Sequence, residues 1–186
     1  MLFIVDMQNN YLDEEKGEMY VEGSEKLISE IIEKIKEYKR KDDYIFYTLD
    51  IYTEKEKHLI NKNNIEDIEQ KEEKRSSKEE WNCELHQSLK PYLQSEQYIK
   101  KSHYAIPPEK LLELQERFKE EKRIISEIEF VGVETHMCVL SNAVALRAAF
   151  PDAKIIINDR LTKSVDYEKH KRALEVMKDL GMEIRR

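Results

Sequence analysis

Three side chains of types that support nucleophilic chemistry stand just beyond short apolar runs. Asp6 follows Leu2-Phe3-Ile4-Val5, Lys101 follows Tyr98-Ile99, and Cys138 lies a few residues past a run closing with Val131-Gly132. A cysteine attacks as its thiolate, so it needs a positive field and a base. At the start of a helix, the unpaired amides and the positive end of the dipole favour the thiolate. An ammonium from Lys101 would push the same way, and Asp6 would take the thiol proton and return it to a leaving group. Taken singly, each residue has a plain structural reading. A cysteine at a buried helix start packs as a small hydrophobe, and an aspartate at a strand end is often a turn or cap residue.

The elements that would position these groups alternate along the chain. Leu2-Phe3-Ile4-Val5 is short, continuous and apolar, as expected of a strand buried on both faces. Ser24 can cap a helix carrying Leu27, Ile28, Ile31, Ile32 and Ile35 at i, i+3, i+4 spacing. Tyr44 to Leu49 reads as a second strand ending in Asp50, and Tyr98-Ile99 as a short third. Pro107-Pro108 opens a helix with Leu111, Leu114 and Phe118 on one face. Ile124 to Val131 is the next strand, followed by a helix from about Cys138 to Ala149. Ile155-Ile156-Ile157 precedes a helix through Ala173, Leu174, Met177 and Leu180 that stops at Gly181, and Met182-Glu183-Ile184 would close the sheet. Strands alternating with helices imply right-handed crossovers and a mostly parallel sheet covered on both faces. In such sheets ligands bind beyond the carboxyl ends of the strands, where Asp6, Lys101 and Cys138 fall.

The length of 186 residues suits one domain, taken here as 1–186. A segment from about 53 to 80, rich in Lys, Glu and Asn, interrupts the rhythm and reads either as a solvated surface insertion or as a lid over the site. The net charge of −7 argues against nucleic acid and anionic membrane as partners, since both demand a basic footprint. With 40% apolar residues the chain has the material for a core despite 38% charged ones. No apolar run approaches a membrane span, and the N-terminus lacks a signal-peptide pattern, so a cytoplasmic protein is expected. Cys83 and Cys138 match no zinc spacing and read as free thiols of a reducing compartment.

Three stretches, Ile4-Val5-Asp6-Met7-Gln8-Asn9, Lys101-Ser102-His103-Tyr104 and Val131-Gly132-Val133-Glu134-Thr135-His136-Met137-Cys138-Val139, resemble in order and separation the signature stretches of the isochorismatase-like cysteine hydrolases. Asn158-Asp159-Arg160 and His170-Lys171-Arg172-Ala173-Leu174 extend the likeness toward the C-terminus. The resemblance implies a three-layer α/β/α sandwich with a six-stranded, mostly parallel sheet and a catalytic triad of Asp6, Lys101 and Cys138. It implies hydrolysis of an amide or carbamoyl bond of a small molecule, such as nicotinamide, N-carbamoylsarcosine or ureidoacrylate, through a thioester; for this chain no cofactor is expected. It also implies a non-proline cis peptide at Val133-Glu134, with the amides of Glu134 and Cys138 facing the developing oxyanion. Gln8, Tyr11, Trp81, Tyr104 and His136 would surround the substrate, although Tyr11 and Trp81 read equally as core plugs and His136 as structural. Relatives commonly assemble, so a homo-oligomer is expected.

Departures from the family pattern narrow this reading. Nicotinamidases of the family carry a metal site that begins Asp-x-His at the end of the second strand, whereas this chain has Asp50-Ile51-Tyr52. His58 is the remaining imidazole nearby, so Asp50 and His58 are weak metal candidates and the ligand set of a first-row ion is incomplete. Ala105-Ile106-Pro107 replaces the usual Ser-Ala-Phe beside the lysine. The leading expectation is therefore a metal-independent cysteine amidase. The alternatives are a metal-assisted nicotinamidase, or a catalytically retired relative kept as a binding protein.

Overall fold

The computed structural model describes residues 1–51 and 77–186. Among these, six strands form one sheet: β1 (Leu2–Val5), β2 (Ile45–Asp50), β3 (Tyr98–Lys101), β4 (Glu127–Val133), β5 (Lys154–Lys163) and β6 (Glu183–Arg185). Their order is β3-β2-β1-β4-β5-β6, and every neighbouring pair runs parallel. The chain winds outward from β1 in one direction and then from β4 in the other, so the strand order reverses between β1 and β4. A crevice opens at such a reversal beyond the carboxyl ends of the strands.

Side-chain alternation along the strands builds two cores. Leu2 and Ile4 of β1, Ile45 and Tyr47 of β2, and Val131 and Val133 of β4 pack with Leu27, Ile31, Ile35 and Tyr38 of the helix Leu27–Arg40. Their neighbours Phe3, Val5, Phe46, Ile128 and Phe130 point the other way. There they meet Leu114 and Phe118 of the helix Pro108–Glu120, Ala143 and Leu146 of Leu140–Ala149, and Ala173 and Met177 of Tyr167–Asp179. The sheet is thus covered on both faces, as its continuous apolar runs require.

Several boundaries differ from the sequence reading. Ile124 does not begin a strand: it is 90% exposed just past the turn after Pro108–Glu120, which closes with the Arg123 amide donating to the Phe118 carbonyl, and β4 starts at Glu127. Ser24 is not a side-chain cap. Its hydroxyl donates to the Tyr11 carbonyl at 2.7 Å inside a 3-10 turn, Ser24–Lys26, that leads into the helix. Cys138 does not begin its helix but lies within a π-helical turn, Thr135–Val139, that runs on into Leu140–Ala149. β5 extends well past its isoleucines to Lys163, with a register shift against β4 between Phe130 and Gly132. The charged insertion lies largely outside the described residues, as do Tyr52 and His58; its C-terminal end enters a helix, Ser77–Cys83.

Gly132 lies on β4 beside β1, where φ is +113° and an added Cβ would sit 2.1 Å from the Val5 carbonyl oxygen. Only glycine fits that approach. The two central strands can therefore run close together just below the residues that bear Asp6 and Cys138.

Candidate active site

β1 delivers Asp6 at its carboxyl end, in a left-handed conformation with φ of 49° that aspartate tolerates better than most residues. Its conformation is tied down by Thr48 of β2, whose hydroxyl donates to Asp6 Oδ1 at 2.6 Å and accepts from the Asp6 amide at 3.2 Å. That leaves Oδ2 facing Lys101, the last residue of β3, with Nζ to Oδ2 at 2.8 Å. The same ammonium donates to Cys138 Sγ at 3.3 Å and to the His103 carbonyl at 3.1 Å. It also lies 3.0 Å from Oδ2 of Asp50, the final residue of β2. All four residues are buried, with Asp6 and Lys101 at 0% and 1% exposure. Asp6, Lys101 and Cys138, singled out by their placement after strands, thus converge on one point. Asp50, which the sequence marks only as a metal candidate, joins them.

The charge balance follows from this geometry. Burial disfavours the Lys101 ammonium, but the fields of Asp6, of a Cys138 thiolate and of Asp50 outweigh it and hold the lysine pKa above its ordinary value. For Cys138, burial pushes the thiol pKa up and the two carboxylates add to that. Lys101 pulls it down, and the net result lies well above an ordinary cysteine. The expectation that the lysine and the helix start leave a ready thiolate is corrected here. The lysine does favour the thiolate, but burial and the two acids outweigh one ammonium, so the protonated sulfur is the favoured form.

Ligand atoms of Asp6, Asp50 and Cys138 lie within 4.8 Å of one another, a grouping that could in principle hold a cation. The Lys101 ammonium already stands at 2.8, 3.0 and 3.3 Å from the three. A divalent ion at that point does not fit, because it would have to displace a buried cation already paired with each would-be ligand.

Supporting bonds hold the segments in place. Gln8 donates from Nε2 to the carbonyls of Asp50 and Cys83, both at 3.0 Å, and accepts from the Asp50 amide at 2.7 Å, so it is a buried brace rather than an open pocket group. Asn9 donates to the Trp81 carbonyl at 2.9 Å, which brings half-buried Trp81 beside the β1 end. Tyr11 is buried in the core cluster with Met7, Leu12 and Leu27. Tyr104 is exposed, and its carbonyl accepts from Asn142 Nδ2 at 3.0 Å. Asn142 also donates to the Cys138 carbonyl at 2.7 Å and accepts from the Ile106 amide at 2.8 Å, stitching the strap after Lys101 to the cysteine-bearing turn. The Val133-Glu134 peptide is cis, where the resemblance puts it. Glu134 turns its carboxylate to the Val165 amide at 2.9 Å, while the His136 amide donates to Ser164 Oγ at 3.2 Å.

Sequence reasoning misses Thr48 and Asn142. Both are buried polar residues inside otherwise ordinary segments, and the only sequence signal for either is a hydroxyl or amide where an apolar side chain would pack as well.

A doubly wound parallel sheet with a buried Asp-Lys-Cys cluster at its crevice is the arrangement that the sequence resemblance implies. The isochorismatase domain family matches residues 1–186, so the chain belongs to that family and is an isochorismatase-like hydrolase. By sequence, no curated protein matches it. Among solved structures, a nicotinamidase from Bacillus subtilis superposes with a TM-score of 0.73 at 19% identity, covering 100% of this chain and 98% of that one. A pyrazinamidase from Pyrococcus horikoshii in complex with zinc gives 0.71 at 20% identity, covering 98% and 96%. An isochorismatase-like hydrolase from Alkaliphilus metalliredigens gives 0.67 at 19% identity, covering 99% and 90%. At such identities these likenesses establish the fold.

Proposed function

We propose that this protein is a cysteine amidohydrolase that cleaves the C–N bond of a small amide or carbamoyl compound without a metal. The observation that carries the reading is the Lys101 ammonium set 2.8 Å from Asp6 and 3.3 Å from the Cys138 sulfur in a buried site. Cys138 Sγ attacks the substrate carbonyl carbon as its proton passes to Asp6. The amides of Glu134 and Cys138 receive the developing oxyanion, each such donor typically worth about 10²–10³ in rate. Collapse breaks the C–N bond, and Asp6 returns the proton to the departing amine or ammonia. A water then attacks the thioester, again giving a proton to Asp6. The acid product leaves and the proton returns to the sulfur. Lys101 steadies the negative charge that moves between carboxylate and sulfur throughout.

Because the resting thiol keeps its proton, the nucleophile forms only when a substrate excludes water and draws the proton to Asp6. Tyr104, Trp81, Tyr11 and His136 remain proposed contributors to the pocket wall. The metal-assisted reading keeps Asp50 as a ligand, a task that competes with its ion pair to Lys101. No helix among the described residues is long and apolar enough to cross a membrane. The test is ammonia release from nicotinamide, pyrazinamide, N-carbamoylsarcosine and ureidoacrylate, with Cys138→Ala as the blank and with protein stripped by chelator. Turnover that survives chelation and vanishes in Cys138→Ala is expected. Release that stops on chelation would overturn the metal-independent reading, and the absence of release above the blank with every amide would remove the amidase.

A further inference from the structure

The turn that carries Cys138 is held from behind by a chain of three polar side chains that the proposed chemistry does not use. Thr135 opens the π-helical turn, three residues before the sulfur, and is fully buried. Its Oγ1 lies 2.8 Å from Nδ1 of His170, and Nε2 of the same ring lies 3.0 Å from Oδ1 of Asp159. A carboxylate only accepts, so Nε2 carries a proton toward Asp159, while Nδ1 and the Thr135 hydroxyl share the second hydrogen bond. His170 thus donates to Asp159 and, through its other ring nitrogen, is hydrogen-bonded to Thr135.

Placement gives this chain its purpose. Asp159 lies on β5, neighbour of the strand that feeds the turn, and His170 lies in the first turn of the helix Tyr167–Asp179. That helix start is itself set by Asp166, whose carboxylate accepts from the Lys169 amide at 2.8 Å and whose carbonyl accepts from the His170 amide at 3.0 Å. On either side of Thr135 the turn is pinned to the segment after β5, with Glu134 accepting from the Val165 amide and Ser164 accepting from the His136 amide. These three residues tie a fully buried threonine of the turn to the sheet and to the neighbouring helix. They differ from an apolar contact in being directional: a methyl group would fill the volume but leave the rotation of the turn about its axis unspecified.

We propose that Asp159, His170 and Thr135 are positioning residues, a relay that fixes the rotation of the nucleophile turn so that Cys138 Sγ meets both Lys101 and the substrate carbonyl. The proposal rests on the reading of Cys138 as the nucleophile. Misplacing a reacting group by about 1 Å can cost on the order of 10²-fold in rate, so the relay acts on kcat more than on KM.

The experiment measures kcat and KM, with whichever amide of the four-compound panel the wild-type protein hydrolyses fastest, for Thr135→Val, His170→Leu, the double variant and Thr135→Ser. Thr135→Val and His170→Leu should each lower kcat by about ten-fold or more with KM within about two-fold of wild type. The double variant should be no slower than the slower single, because the two residues act through one bond. Thr135→Ser restores the hydroxyl and should recover most of the rate, which also covers the case in which His170→Leu fails to fold. Wild-type kcat in Thr135→Val, additive losses in the double variant, or a loss carried by KM would each overturn the relay. Cys138→Ala is run beside them. If it is inactive while Thr135→Val is unaffected, the relay fails and the nucleophile stands; if it retains turnover, the nucleophile reading fails and the relay falls with it.

Discussion

Asp50 faces the Lys101 ammonium at 3.0 Å, so the lysine is gripped by two acids, Asp50 and Asp6, rather than one. The second acid changes the chemistry of the sulfur as well as the hold on the lysine. It adds negative field beside a thiol that burial has already pushed above its usual pKa.

A pH profile of alkylation follows from that charge balance. In the free enzyme Cys138 should react with iodoacetamide slowly near neutral pH, its rate still climbing through and beyond the range in which an ordinary thiol has levelled off. In Asp50→Asn one negative charge is gone, so the profile should move to lower pH. The measurement is the alkylation rate of Cys138 against pH by peptide mass; a plateau near neutral pH in wild type, or an unmoved profile in Asp50→Asn, contradicts the two-acid description.

Lys101→Met keeps the length of the stem and removes the cation. Asp6 and Asp50 then face each other across a dry site with nothing between them. Removing one partner of a buried ion pair typically costs about 3–5 kcal/mol. The urea midpoint should fall accordingly, and Cys138 alkylation at a given pH should slow, since the one group lowering the thiol pKa has gone. A stable variant with faster alkylation would show that the lysine does not govern the sulfur.

Much of this site is legible in the amino-acid sequence, and the reason is physical. Asp6, Lys101 and Cys138 each terminate or follow a β-strand of an alternating pattern, and parallel sheets bring such ends together whatever the loops do. The grip of Asp50 is not legible, because a carboxylate at a strand end carries no mark of whether it will face a metal or an ammonium. Thr48 and Asn142 are hidden for a different cause. Their value comes from partners far away in sequence, the Asp6 carboxylate for one and the strap from Tyr104 to Ile106 for the other. The placing of Cys138 in mid-turn is equally hidden, because a π-helical turn and a helix start share the same apolar spacing over so few residues.

Thr48→Val tests the support of the base. The hydroxyl gives Asp6 Oδ1 its hydrogen bond and receives one from the Asp6 amide, so valine leaves two buried polar groups unpartnered at little change in volume. Each such group costs about 1–3 kcal/mol. Stability by urea titration should drop by a few kcal/mol on the order of these figures. The turnover number should fall with it, as the carboxylate is free to rotate away from the sulfur. Thr48→Ser should recover both. Unchanged turnover in a folded Thr48→Val protein would mean that Asp6 needs no orienting.

Asn142→Leu removes a three-way tie between the Cys138 carbonyl, the Tyr104 carbonyl and the Ile106 amide. Loss of stability larger than that of a surface substitution is expected, together with faster hydrogen exchange at the Ile106 amide. Exchange at Ile106 that matches wild type would contradict the stitching role.

The most direct test of the central claim is mass analysis of the protein quenched during turnover of an amide substrate. The account predicts an added acyl mass that maps to Cys138, is absent from Cys138→Ala and is lost or strongly reduced in Asp6→Asn, in which no carboxylate takes the thiol proton. An acyl group on any other residue, or turnover by Cys138→Ala at the wild-type rate, would contradict it.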